Sequence, residues 1–153
     1  MVYYTKVLQA DETVRYVGGL HWTIYRNAIL LAVVAVAALT ACLSVSGDWQ
    51  LIVLAVAGLF LLLAGVSFLG AWFVRITTEI VVTDRRIIHK VGWIARRTEE
   101  MNITKVETVD VSQGIGGRIF NYGTVAIRGI GGGWEPLRRV GSPLELRNAI
   151  VVG

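Results

Sequence analysis

Residues 28–45 read AILLAVVAVAALTACLSV, and beyond a five-residue SGDWQ link, residues 51–74 read LIVLAVAGLFLLLAGVSFLGAWFV. The first run has 18 residues, the second 24, and neither contains a charge. About 20 apolar residues, each rising ~1.5 Å, cross the hydrocarbon of a bilayer. Each run therefore reads as a transmembrane helix, the first starting earlier, near Trp22. Gly47 and Asp48 suit a tight turn. The expectation is a helical hairpin over residues 22–74, with helices at about 22–45 and 50–74 and both ends emerging on one side of a membrane. A segment of residues 1–21 and a soluble domain of residues 75–153 are then held against that face.

Basic residues decide which face. Lys6, Arg15 and Arg26 precede the hairpin, Arg75, Arg85 and Arg86 follow it, and the link carries only Asp48. Positive charge stays cytoplasmic, so both termini are expected inside and the link outside. Trp22, Tyr25, Trp49 and Trp72 sit where interfacial aromatic belts form. The hydrophobic content of 54% and the mean hydropathy of +0.60 reflect the hairpin. Residues 75–153 carry 12 Lys and Arg against 8 Asp and Glu, which accounts for the whole net charge of +4. A basic domain is attracted to an anionic leaflet, but positive-inside topology alone gives the same bias.

Other chemistry is excluded by what the chain lacks. A single cysteine, Cys42, allows neither an intrachain disulfide nor a thiolate metal cluster. Leu39-Thr40-Ala41-Cys42 has the look of a lipoprotein cleavage box, yet Cys42 reads better as a small residue inside a helix. Ala28, Ala32, Ala35 and Cys42 fall near one face of the first helix, and Ser67 and Ala71 sit four apart in the second. Small residues let membrane helices approach closely, within one hairpin or between protomers. No charged residue lies inside either run, which argues against an ion or proton path. His21 and His89 are far apart with no metal-ligand spacing. The run Gly129-Ile130-Gly131-Gly132-Gly133 lacks the Lys-Ser/Thr and helix of a phosphate loop. No cofactor, metal or nucleic acid is expected, and no catalytic residue stands out.

The soluble part is read in order. Val14, Tyr16 and their neighbours suit a short strand ending at Gly18-Gly19, able to pack on the C-terminal domain. After Arg75 the pattern turns from helical to alternating. Strands are expected at Ile76–Thr83, Arg86–Val91, Ala95–Met101, Lys105–Val111, Tyr122–Ile130 and Trp134–Val140, with turns at Asp84-Arg85 and Gly131-Gly132-Gly133. One helical turn is expected at Gly117–Phe120. Ser142-Pro143-Leu144-Glu145 reads as an N-cap, a first-turn proline and a capping box. It opens a C-terminal helix to about Val151, with Leu146, Ala149 and Ile150 on its apolar face. The fold class is a membrane protein: a two-helix transmembrane hairpin, then an antiparallel β-barrel or sandwich closed by one C-terminal helix.

Two stretches carry a resemblance. Thr78-Glu79-Ile80-Val81-Val82-Thr83-Asp84-Arg85-Arg86-Ile87 resembles the opening of bacterial pleckstrin-homology-like domains in small membrane proteins. Gln113-Gly114-Ile115-Gly116-Gly117-Arg118-Ile119-Phe120-Asn121-Tyr122-Gly123-Thr124-Val125 resembles that family's second signature. The hairpin, the preceding Asp11-Glu12 and His21-Trp22 fit the same arrangement. The resemblance implies a pleckstrin-homology-like barrel of seven strands and a helix, no enzymatic activity, and residence in the bacterial plasma (inner) membrane. Eukaryotic relatives of the fold often bind phosphoinositides through a basic loop between the first two strands. Here that loop is only Asp84-Arg85, too short for a phosphate cradle.

Candidate anionic-lipid contacts are Arg75, Arg85, Arg86, Arg96, Arg97 and Arg118. Arg85 and Arg86 have a plainer reading as turn residues, one of them pairing a sheet carboxylate such as Glu79, and Arg118 as a residue following glycines that permit a tight path. Pairing with Glu99, Glu100 or Glu107 would count against lipid contact. Arg138-Arg139 is a further basic pair, split between two faces if it lies on a strand. Trp93, Trp134 and Tyr122 are candidate interface anchors, with burial in the core as the alternative. The function expected is a non-enzymatic membrane-anchored adaptor or scaffold. Its partners would be the lipid bilayer and a protein partner or homo-oligomer. The rival is a sensor of anionic lipid.

Overall fold

The computed structural model describes residues 12–44, 46–92, 97–134 and 136–152. The chain divides into two compact units, Trp22–Arg75 and the pair of segments Met1–His21 and Ile76–Gly153. The hairpin is thus an insertion in sequence: the second unit begins before it and resumes after it.

In the first unit a 3-10 turn, Trp22–Tyr25, leads into helix α1 (Arg26–Cys42), and α2 spans Asp48–Thr77. Gly47 makes the turn between them at φ +83°, a conformation that glycine adopts without strain. Both helices are long and apolar enough to cross a membrane, and only 11% of each one's most apolar stretch is buried. A core helix of a water-soluble protein would bury most of such a stretch. Here Leu30, Val33, Leu51, Leu62 and Val66 are exposed. What is buried is small: Ala28, Ala35 and Cys42 on α1, Ala57 and Ala64 on α2. Seven-residue spacing keeps each set on one stripe, and half-buried Ser67 and Ala71 continue the stripe on α2. The Tyr25 ring stacks on Phe68 at 5.0 Å, the Arg75 guanidinium lies 5.7 Å from the Tyr25 centroid, and the Cys42 thiol faces the Gln50 carbonyl at 3.9 Å. The small residues therefore serve packing within one hairpin.

The second unit holds two antiparallel four-stranded sheets. The first has the order β1 (Val14–Gly18), β2 (Glu79–Thr83), β3 (Arg86–Val91), β4 (Arg97–Asn102). In the second, β6 (Tyr122–Gly129) pairs with β5 (Val106–Ser112), β7 (Gly132–Gly133) and β8 (Leu137–Gly141). Helix α3 is Ile115–Ile119, and α4 is Pro143–Val151. The core takes Ile80, Val82 and Ile87 from the first sheet, Val125, Ile127, Leu137 and Val140 from the second, and Leu146 and Ile150 from α4. Period-two burial along β6, with Gly123, Val125, Ile127 and Gly129 inside, is the alternation visible in the sequence.

Among the described residues the two sheets do not close into one barrel. Between β4 and β5 the chain makes a 3-10 turn, Ile103–Lys105, in which the Thr104 amide donates to the Asn102 side chain. The other side is stitched: Leu20 bridges Val140, Gly141 N–H donates to Gly19 O, and His21 N–H donates to Arg139 O. The strand expected from Trp134 starts only at Leu137, after Pro136, which has no N–H for the ladder. Gly132–Gly133, expected as turn, is a short strand, and Gly131 at φ +95° supplies the turn. Among the described residues seven strands follow residue 75, where six were expected. The capping box does not form. Ser142 lies in the left-handed region at φ 46° with no capping bond from its side chain, and its carbonyl accepts from Glu145 N–H and Leu146 N–H instead.

Candidate functional site

The β2–β3 turn, Thr83-Asp84-Arg85-Arg86, is where the segment before the hairpin is fastened to the segment after it. Thr13 N–H donates to Asp84 Oδ1, and Asp84 N–H donates to Thr13 O, both at 3.1 Å. Arg86 Nε and a terminal nitrogen donate to the two Glu12 oxygens at 2.9 and 2.8 Å, a fork-on-fork pair. The other terminal nitrogen reaches Glu100 at 2.8 Å. The Glu12 side chain is 1% exposed and that of Arg86 20%. Thr83 Oγ1 lies 2.7 Å from Glu12 Oε1 and 2.9 Å from Arg86 O, and accepts from the Arg86 amide. The bond to Glu12, more than any other influence, holds the Arg86 guanidinium in its charged form, above the ordinary arginine range.

A shallow cleft of about 300 Å³ sits here, lined by Glu12, Arg85, Arg86, Glu100 and Asn102. Two carboxylates face one engaged guanidinium, so the cleft is not a phosphate cradle. Arg86 is bound to Glu12 and Glu100; Arg85 is exposed at the turn, with its backbone carbonyl accepting from Ile103 N–H. The acidic partner of Arg86 that matters most, Glu12, is 74 positions away in sequence. The adjoining Asp11-Glu12 pair was the one signal that could have found it.

The second motif builds a compact loop. Gln113 Nε2 donates to Gly117 O at 3.2 Å and Tyr122 O at 3.1 Å. A Cβ on Gly117 would stand 2.5 Å from Tyr122 O, and one on Gly123 would stand 2.8 Å from Gln113 Cγ. Asn121, at φ 55°, donates from Nδ2 to Ser142 Oγ at 3.0 Å. Arg118 in this loop is exposed.

The other expected residues are dispersed. Arg75 lies in the last turn of α2, over Tyr25. Arg97 opens β4. Arg96 and Trp93 fall outside the described residues. Arg138 is exposed, and Arg139 is half-buried at φ 57°. Trp134 packs against the core, with its ring 6.1 Å from His89. Tyr122 is half-buried and stacks on His21 at 5.3 Å. Among the described residues no group of three His, Cys, Asp or Glu is placed to hold a metal.

A family model for the bacterial PH domain matches residues 15–151. The chain belongs to that family. The match spans the hairpin as well as both segments of the PH unit. No curated protein and no solved structure matches the chain. Domains of the PH type are in general binding modules without catalytic activity. The two signature stretches of this PH domain have separate structural duties here: one fastens β1 to the β2–β3 turn, the other shapes the α3 loop.

Proposed function

We propose that the chain is a non-enzymatic membrane-anchored adaptor. In this reading α1 and α2 cross the bacterial inner membrane twice, both termini are cytoplasmic, and the PH domain is held at that face. The carrying observation is that an apolar, largely unburied helical pair is inserted between two strands that hydrogen-bond to each other, β1 and β2. Such an insertion fixes the PH domain to the membrane at two points rather than one. Arg15 and Arg26 before the hairpin and Arg75 and Arg85 after it, against Asp48 in the link, support the orientation.

The domain would then engage a protein, or copies of itself, through a sheet edge. Among the described residues β4 and β5 are end strands of their sheets, and an edge strand offers backbone groups to an added strand. Exposed Glu107 and Asp110 on β5 favour a basic partner segment.

Native mass spectrometry of the full chain, released with its surrounding membrane, tests this. A protein partner or homo-oligomer at fixed stoichiometry is expected. Monomers alone, with retained anionic lipid, would contradict the adaptor reading and favour the lipid sensor, which exposed Arg118 supports.

A further inference from the structure

The Gln113–Gly123 loop carries large apolar side chains that its own unit does not cover: Ile115 is 83% exposed, Ile119 71% and Phe120 51%. We propose that these three, with Arg118 among them, form a tip that inserts into the interfacial layer of a bilayer containing anionic lipid. The proposal rests on the membrane reading above and adds a third point of attachment to the two helices.

Three observations support it. First, the exposure is built in. Gln113 ties both limbs of the loop, Gly117 and Gly123 leave no room for a Cβ, and Asn121 is pinned to Ser142. A loop so tightly fixed holds its apolar residues outward, and insertion then costs little ordering. Second, the loop itself is cationic: from Val111 to Ile127 the single charged residue is Arg118. Apolar side chains beside a cation match the boundary of acyl chain and anionic headgroup. Third, three side chains are too few for a stable contact between copies, which takes roughly 800 Å² on each partner. A bilayer needs no matching surface.

The test uses the full chain with Cys42→Ala, one protein per nanodisc, and an environment-sensitive fluorophore on one introduced cysteine. The reporters are Ile119→Cys, Ile115→Cys, Leu59→Cys on α2 and Glu107→Cys on β5. Nanodiscs contain phosphatidylcholine with phosphatidylglycerol, with or without spin-labelled quencher lipid. Ile119→Cys, Ile115→Cys and Leu59→Cys are expected to emit at shorter wavelength and lose most intensity to the quencher, while Glu107→Cys keeps its intensity. Removing phosphatidylglycerol, or adding Arg118→Gln, should weaken quenching at position 119 and leave position 59 unchanged. Quenching at 59 with water-like emission at 115 and 119 overturns the tip and leaves the hairpin intact. A blue shift at 119 without lipid quenching means that protein covers the tip, and also overturns it. No quenching at 59 or 119 sinks both the tip and the membrane reading.

Discussion

Glu12 and Arg86 meet in a two-pronged ion pair at 2.8 and 2.9 Å, across a sequence separation that contains the whole helical hairpin. The pair locks the start of β1 to the β2–β3 turn, so the PH domain is complete only when both ends of the hairpin return to it. Glu12 is almost wholly enclosed, and a buried carboxylate without its cation is costly. Arg86→Met should therefore destabilise the domain by about 3–5 kcal/mol. The double variant with Glu12→Gln should lose clearly less than the sum of the two single changes. Denaturant unfolding of the four proteins in detergent gives the comparison, and strict additivity would refute the coupling.

Tyr16 joins the two sheets on the other side of β1, where its hydroxyl donates to Gly141 O at 3.1 Å. Burial, and then the nearby Glu145 charge, push the Tyr16 phenol above its ordinary 10.0. A raised folded-state value contributes stability that is complete below the unfolded value and is lost as pH rises through the folded one. Stability should thus fall above about pH 10, and Tyr16→Phe should flatten that fall. A spectrophotometric titration of the tyrosines should lose a phase lying above pH 10 in Tyr16→Phe. An unchanged alkaline limb would rule Tyr16 out as its source.

The α3 loop predicts a contrast between glycines. Gly117→Ala sets a methyl group against the Tyr122 carbonyl, and Gly123→Ala sets one against the Ser112 carbonyl and Gln113. Each should cost about 1–3 kcal/mol. Gly114→Ala meets nothing within 4 Å and should change the unfolding midpoint little. Equal midpoints for all three variants would show that the loop yields.

Truncation in the core should follow burial. Ile80, Ile127 and Leu146, from the two sheets and α4, are completely or almost completely enclosed. Each change to Ala should cost about 2–5 kcal/mol. Leu144→Ala, on the half-exposed side of α4, should cost much less, as thermal scans of the four variants would show.

Much of this was legible in local sequence. Uncharged runs of 18 and 24 residues announce α1 and α2, because helix length against bilayer thickness needs no tertiary information. β-branched runs announce β2 and β3, and a period-two stretch announces β6. The helix start at Pro143 was also legible, but its mechanism was not: Ser142 is held in the left-handed region by the Asn121 loop, so its hydroxyl cannot cap. Arg86 illustrates the same limit. An arginine at a turn can be read as a lipid contact or as the partner of a carboxylate, and local sequence does not point to a partner 74 residues away. Sequence separation hides such partners, because sheet pairing brings them together only after the hairpin insertion is known. The break between the two sheets was hidden for a related reason: between β4 and β5 three residues, Ile103–Lys105, leave the strand path.

The anchoring of the PH domain is tested most directly by labelling intact and permeabilised bacterial cells with a membrane-impermeant maleimide. The proteins carry Cys42→Ala with either Ser46→Cys in the hairpin turn or Thr108→Cys on β5. Ser46→Cys should react in intact cells, and Thr108→Cys only after permeabilisation. Reaction of Thr108→Cys in intact cells, or of neither site until the membrane is opened, would contradict a hairpin that crosses twice and leaves the PH domain inside.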